Sequence, residues 1–215
     1  MRKAEQAVAR AFTEHLRIKA TSLGSLFQAC PLDGGDRNVL ADYLISDHDN
    51  FSLIEFKSTQ SEIKTEAKKQ RVHSLCAALE SNPSMRDLHD LCHFIAWKDR
   101  SSKQVTVNVY RHEVCNQATL GNTCVVALTA GGAREFTGTF GQGFCRPPPR
   151  RSITFAEFKV YLDWLLLVTT QGTVTNLAFA THSITTDTVT LAEFASLDAG
   201  YNWLQTHRPR AAYQP

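Results

Sequence analysis

Asp42, Glu55 and Lys57 are the residues of this 215-residue chain whose types and spacing point most directly to chemistry. Asp42 is followed by twelve residues and then by Glu55-Phe56-Lys57. Both sites lie in β-rich stretches, 39–45 (VLADYLI) and 51–57 (FSLIEFK), and Ser46-Asp47-His48-Asp49-Asn50 between them is turn chemistry. Alternation puts Leu40, Asp42 and Leu44 on one face of the first stretch. In the second it puts Leu53, Glu55 and Lys57 on one face and Ile54 and Phe56 on the other. An antiparallel hairpin of this length brings Asp42 close to Glu55 and Lys57. Two carboxylates and a lysine inside an apolar sheet are costly unless something uses them. A hard divalent cation would use them, because Mg²⁺ takes one or two carboxylates and keeps several waters. The plainer alternative is three surface groups on an ordinary hairpin.

The elements around that hairpin must position it. Residues 3–17 carry Ala4, Ala7, Val8, Ala11, Phe12 and Leu16 at helical spacing. Glu5 and Glu14 flank this stripe on opposite sides, and either can look inward. Residues 23–29 read as a short strand and 30–38 (CPLDGGDRN) as a turn. Residues 62–80 read as one helix. On its wheel Lys64, Lys68 and Arg71 form a stripe that continues, one or two turns later, as Val72, Leu75, Cys76 and Leu79. The far half therefore docks on a core. The near half is either a solvated basic face or a phosphate-binding edge beside the carboxylates. Asn82-Pro83 closes the helix, and 91–97 and 104–110 read as two strands joined by the loop 98–103.

Beyond residue 113 the pattern is looser. Residues 123–129 read as a strand, and the Gly- and Arg-rich stretch 131–151 as an exposed loop ending in a short polyproline II segment. Phe136, Phe140 and Phe144 in it either stack on bases or pack the loop. Residues 154–169 read as a helix with Thr154 as N-cap and Glu157 completing a capping box. A strand at 173–180, a helix at 192–204 and a frayed tail at 208–215 complete the chain.

Composition bounds the classes. Hydrophobic residues at 43% and charged residues at 20% allow an ordinary core and exclude wholesale disorder. A net charge of +2 is too mild to announce a nucleic-acid partner, so any basic surface must be local. The six cysteines (Cys30, Cys76, Cys92, Cys115, Cys124, Cys145) include no C-x-x-C pair, which fits reduced thiols and a cytosolic location better than a disulfide framework. The start MRKAEQAVAR has no apolar signal region, and the most apolar run, 161–168, is too short to span a bilayer, so no membrane association is expected.

The order helix, strand, strand with Asp42, strand with Glu55-Phe56-Lys57, basic helix, strand resembles the PD-(D/E)XK nuclease superfamily over residues 3–110. Leu53-Ile54-Glu55-Phe56-Lys57-Ser58 looks like that family's apolar-apolar-E-x-K strand. Two departures stand out. Ala41 replaces the proline that often precedes the aspartate, and Gln70 is followed four residues later by Ser74 rather than a tyrosine.

The resemblance implies an α/β fold, a restriction-endonuclease-like mixed sheet flanked by helices over 1–112, with 113–215 as a C-terminal α+β elaboration packed on it. It implies Mg²⁺, with Mn²⁺ as a substitute, held by Asp42, Glu55 and the backbone carbonyl of Phe56. It favours Glu5 over Glu14 as an outer or second-metal ligand. Lys57 would orient or help deprotonate the attacking water, its pKa lowered by partial burial. Lys64, Lys68 and Arg71 would contact the DNA backbone, with Arg146, Arg150 and Arg151 as weaker candidates. The implied activity is phosphodiester hydrolysis leaving 5′-phosphate and 3′-hydroxyl ends, in phage defence, restriction or a mobile element. A homodimer or a larger complex fits cutters of both strands. The alternative is a catalytically silent nuclease-fold subunit that binds nucleic acid or a protein.

Other chemistries are thinner. His89, His93, His112 and Cys115 are ligand types for Zn²⁺, but each cluster alone is too small. No G-x-x-x-x-G-K-[ST] loop occurs, which argues against an ATPase.

Overall fold

The computed structural model describes residues 3–25, 27–32, 39–47, 49–124 and 132–170 (residue 123 by its backbone alone), the backbone of 177–183 and 188–194, and Asn202. In chain order it runs α1 (Lys3–Ser22), β1 (Phe27–Pro31), β2 (Tyr43–Asp47), β3 (Asn50–Lys57) and a 3₁₀ helix (Gln60–Lys68). Then come α2 (Gln70–Ser81), α3 (Pro83–Cys92), β4 (His93–Lys98), β5 (Val105–Val109), two short helices α4 (Tyr110–Val114) and α5 (Gln117–Leu120), and a 3₁₀ turn (Gly121–Thr123). The chain continues as β6 (Glu135–Phe136), α6 (Thr137–Cys145), β7 (Ile153–Thr154), α7 (Phe155–Thr170) and the separate hairpin β8 (Leu177–Ser183) and β9 (Thr188–Phe194).

β1 to β6 lie side by side in sequence order, and β7 joins β3 at Asn50 and Phe51. β1, β2 and β3 are antiparallel, β3 and β4 are parallel, and β4, β5 and β6 are antiparallel. The result is a mixed α/β sheet flanked by helices. A parallel pair needs a crossover, and the 3₁₀ helix, α2 and α3 supply it between β3 and β4. β3 is buried along nearly its whole length because both its faces are covered. On one face Val8, Phe12 and Leu16 of α1 and Phe140 and Phe144 of α6 meet Ile54, Phe56 and Phe94. On the other, Val72, Leu75 and Leu79 of α2 and Phe158, Tyr161 and Leu165 of α7 meet Leu44, Leu53, Ile95 and Trp97. The alternation expected for 51–57 is therefore the one observed.

Several expectations are corrected. The helix expected over 62–80 is two elements: a 3₁₀ helix ends at Lys68, Lys69 is extended, and α2 begins at Gln70. Asn82-Pro83 closes α2 but also opens α3. The Asn82 side chain accepts from the Met85 N–H at 3.2 Å and Pro83 takes the first helical position, so Leu91 and Cys92 are helical. The stretch 131–151 is only partly an exposed loop: 135–145 folds into β6 and α6, while 146–150 stays outside helix and strand and is mostly exposed. Phe140 and Phe144 sit one turn apart and bury together, and Gly141 lets α6 approach α1, because a Cβ there would come within 3.0 Å of Leu16 Cδ2. The capping box is present: Thr154 Oγ1 donates to Glu157 Oε2 at 2.8 Å and receives the Glu157 N–H at 3.4 Å. Residues 192–194, expected as helix, belong to β9. The rest of that expected helix except Asn202, and the expected features at 33–38, 125–129, 173–176 and 208–215, lie outside the described residues. Cys76 and Cys115 are joined as a disulfide, their Cα atoms 5.3 Å apart, while Cys30, Cys92, Cys124 and Cys145 are free. The expectation of six reduced thiols gives way to one cross-link that ties α2 to the end of α4.

Candidate active site

The β2–β3 register brings Asp42 to Glu55. Tyr43 pairs with Ile54, and one step back along the chain Asp42 stands beside Glu55. The Asp42 N–H donates to the Ile54 carbonyl at 2.9 Å, and the Leu32 N–H donates to the Asp42 carbonyl at 2.8 Å. Past this point the side chain takes over the ladder: the Phe56 N–H donates to Asp42 Oδ2 at 2.7 Å. Phe56 is held in turn by edge contacts with Phe12 and Tyr43, each 5.5 Å between ring centres. Asp42 is thus fixed by backbone on two sides and by β3 at its carboxylate.

Glu55 and Lys57 share the face of β3 that carries Leu53. Glu55 is 4% and Lys57 6% exposed, depths at which an unpaired charge costs several kcal/mol. The 3₁₀ helix supplies the partners. With three residues per turn, it stacks Ile63 and Glu66 on its inner side, and Lys69 follows at its end. Glu66 is fully buried. Its Oε1 lies 2.7 Å from Lys57 Nζ and 2.8 Å from Lys69 Nζ, close in distance but off-line for hydrogen bonds, so the attraction is that of charge. Its Oε2 accepts from the Tyr110 hydroxyl at 2.7 Å. Glu55 Oε1 accepts from Lys57 Nζ, and from Lys69 Nζ at 3.2 Å. Ser58 starts the connection, its N–H and hydroxyl both donating to Glu62 Oε2, at 3.1 and 2.6 Å.

The charges are unevenly shared. Burial alone would raise the Glu66 carboxyl, but Lys57 and Lys69 outweigh it and hold Glu66 down at about 2. Burial works against the Lys57 ammonium, yet Glu55 and Glu66 hold it above the usual lysine range. Glu55 is left the weaker acid, raised by burial and by Glu66 against the pull of the lysines. Asp42 is raised to about 7, by burial first, then by the Glu55 charge and, less, by Glu5; the Phe56 N–H and Lys57 pull the other way. Glu5 stands in the first turn of α1, half-buried, where its charge reaches Asp42. With all four carboxylates ionised, they exceed the two ammonium groups by two charges, which a divalent cation would balance.

Carboxylate and backbone oxygens are the ligand types that a hard cation takes. Among the described residues no three His, Cys, Asp or Glu side chains are grouped to hold a metal, so an ion would rest on Asp42, Glu55, a backbone oxygen and waters. The ligand types that zinc would need are otherwise engaged. Cys115 is in the disulfide, and His89 and His93 are both engaged with the Tyr161 hydroxyl.

The other residues named from the sequence separate. Glu14 is exposed and pairs with Arg17 at 3.2 Å on the α1 surface. Lys64 and Lys68 are exposed on the 3₁₀ helix and Arg71 is half-buried in α2. Arg146 and Arg150 are exposed, whereas Arg151 is paired with Glu135 at 2.6 Å. Sequence reasoning passed over Glu66, Lys69 and Tyr110. The signal for the first two was the three-residue spacing of Ile63, Glu66 and Lys69, which a 3₁₀ period stacks in line. The chain matches no family model, no curated protein and no solved structure.

Proposed function

We propose that this chain is a Mg²⁺-dependent nuclease of the PD-(D/E)XK kind, with a restriction-endonuclease-like core, acting on DNA phosphodiester bonds. The observation that carries the reading is Asp42, fixed just before β2 beside Glu55 of β3, with Lys57 on the same face of β3 as Glu55. The order of elements supports it: a helix, three antiparallel strands, a helical crossover and a parallel fourth strand.

Asp42, Glu55 and the Phe56 backbone would hold the ion, and Glu5 would add charge from the rim. When bound, Mg²⁺ polarises a phosphoryl oxygen and lowers the pKa of a water. The protein's own part is positional and electrostatic. Asp42, just before β2, and Glu55 on β3 would hold the cation, and Lys57 would offer a fixed positive charge to the phosphate as negative charge builds there. The expectation that Lys57 loses its proton easily is withdrawn, because two buried glutamates hold it charged. Lys57 therefore acts as a cation rather than as the base. Lys64 and Lys68 are exposed and available to a nucleic-acid backbone.

A second reading is a catalytically silent subunit of the same fold. One observation favours it, the closed set of ion pairs around Lys57. Calorimetric titration with Mn²⁺ separates the two. The nuclease reading expects binding that Asp42→Asn and Glu55→Gln each weaken at least ~10-fold; equal binding by all three proteins would sink it.

A further inference from the structure

His89, His93 and Tyr161 form a polar cluster that is fully buried on the α7 side of the sheet. The Arg111 N–H, in the first turn of α4, donates to His89 Nε2 at 3.2 Å. His89 Nδ1 and His93 Nδ1 lie 2.6 and 2.8 Å from the Tyr161 hydroxyl. His93 Nε2 lies 3.0 Å from the Leu40 carbonyl.

The two ends fix every proton in between. A carbonyl only accepts, so His93 carries its proton on Nε2 and accepts at Nδ1. The Tyr161 hydroxyl must therefore donate to His93, and can accept from His89 Nδ1. That leaves His89 Nε2 as an acceptor, which is what the Arg111 N–H requires. Both rings are neutral in this arrangement. Burial agrees with that, since it lowers His93 to about 4, with Leu40 and Glu66 opposing, and lowers His89 too.

The chain of bonds ends at a strained point. Leu40 has φ of 54°, a left-handed conformation that its side chain does nothing locally to support. Leu40 is 1% exposed and its neighbours Val39 and Ala41 are fully buried, so water does not supply a donor for its carbonyl. Two residues later the backbone reaches Asp42. His93 also lies against Tyr110, the residue that bonds Glu66, with ring centres 4.7 Å apart.

We infer that His93 and Tyr161 are positioning residues for the Asp42 carboxylate: the directional chain from the Arg111 N–H through His89, Tyr161 and His93 holds the left-handed turn at Leu40 from which Asp42 enters the site. The inference rests on the nuclease reading for its purpose, but not for its geometry. It gives α7, more than a hundred residues from Asp42 in sequence, a part in the site.

The test compares wild type with His93→Leu, which removes both ring contacts, His93→Gln, which keeps a donor at the Nε2 position, and Tyr161→Phe. Two readouts are taken on the whole chain: the Asp42 carboxyl titration by ¹³C NMR, and Mn²⁺ affinity by calorimetry. His93→Leu and Tyr161→Phe should change the Asp42 titration and weaken Mn²⁺ binding ~10-fold or more, and His93→Gln should restore both. Tyr161→Phe acts through His93, whose ring keeps its Nε2–H on the Leu40 carbonyl but loses the hydroxyl that orients it at Nδ1. It carries the test if His93→Leu does not fold. Folded variants whose Asp42 titration matches wild type, or a folded His93→Gln that restores nothing, overturn the inference. If wild type binds no Mn²⁺ but the Asp42 titration moves as stated, the positioning role stands and the nuclease reading falls. If Mn²⁺ binds wild type and variants alike, the positioning role falls and the nuclease reading is untouched.

Discussion

Lys57 Nζ lies 2.7 Å from Glu66 Oε1, and Glu66 has no exposed surface at all. The lysine of the E-x-K strand is therefore answered by a glutamate from the next element as well as by Glu55, two residues before it. This pairing explains how a charge can sit on a central strand without unfolding it. Burying an ammonium costs several kcal/mol, and two carboxylates and their neighbours must offset that.

Removing Glu66 should be expensive. Glu66→Ala leaves two ammonium groups facing each other with only Glu55 between them, and should cost ~3–5 kcal/mol in urea unfolding. Glu66→Gln keeps an acceptor for the Tyr110 hydroxyl and should cost less. Lys69→Ala should cost under ~1 kcal/mol, because that side chain is 41% exposed and solvent screens it. A Glu66→Ala protein as stable as wild type would contradict the pairing.

Asp42 should make stability fall as pH rises. Its folded value of about 7 is above its ordinary 3.8, so across that window the folded chain keeps a proton that the unfolded chain releases. Glu66 works in the opposite sense: held at about 2 in the folded chain, it stabilises above its ordinary 4.5 and loses that contribution as pH falls toward 2. Buried His93, near 4 against an ordinary 6.5, also adds stability as pH rises through that interval. The difference between Asp42→Asn and wild type isolates Asp42. It should grow in favour of the variant from about pH 4 to about pH 7 and level off above. A difference that stays flat with pH would remove the raised carboxyl from the account.

Lys64 and Lys68 should act on nucleic acid without acting on the fold. Each substitution to Ala should lower the slope of log affinity against log salt by about 1, with stability within about 0.5 kcal/mol of wild type. An unchanged slope for both would mean that this face is solvated and nothing more.

The disulfide makes a simple count. Protein denatured without reductant should titrate four thiols, those of Cys30, Cys92, Cys124 and Cys145, and six after reduction. Reduction should also lower stability by roughly 2–4 kcal/mol. Six thiols before reduction would leave Cys76 and Cys115 as packed neighbours.

The sequence made the centre of the fold readable and hid its supports. The alternation in 51–57 is a strong period, so the shared face of Leu53, Glu55 and Lys57 could be read directly, and Thr154 with Glu157 announced α7. Glu66 and Lys69 were hidden by a change of period. An α-helical wheel aligns Lys64, Lys68 and Arg71, whereas the 3₁₀ helix turns Ile63 and Glu66 inward and leaves Lys69 at its end. Glycines at 138, 141 and 143 argued for a loop, and only the four-residue spacing of Phe140 and Phe144 spoke for α6. His89 and His93 looked like a metal pair because their partner, Tyr161, is 72 and 68 residues away. Long-range pairings of this kind leave no local pattern.

The most direct measurement is cleavage of supercoiled plasmid, linear duplex, single-stranded DNA and RNA with Mg²⁺, Mn²⁺ or EDTA, by wild type, Asp42→Ala, Glu55→Ala and Lys57→Ala. The account predicts that wild type cuts DNA with Mg²⁺ or Mn²⁺ and not with EDTA. Each substitution should lower the rate by ~10²-fold or more. Cutting that survives all three substitutions, or a folded wild type that cuts nothing with either metal, would contradict it.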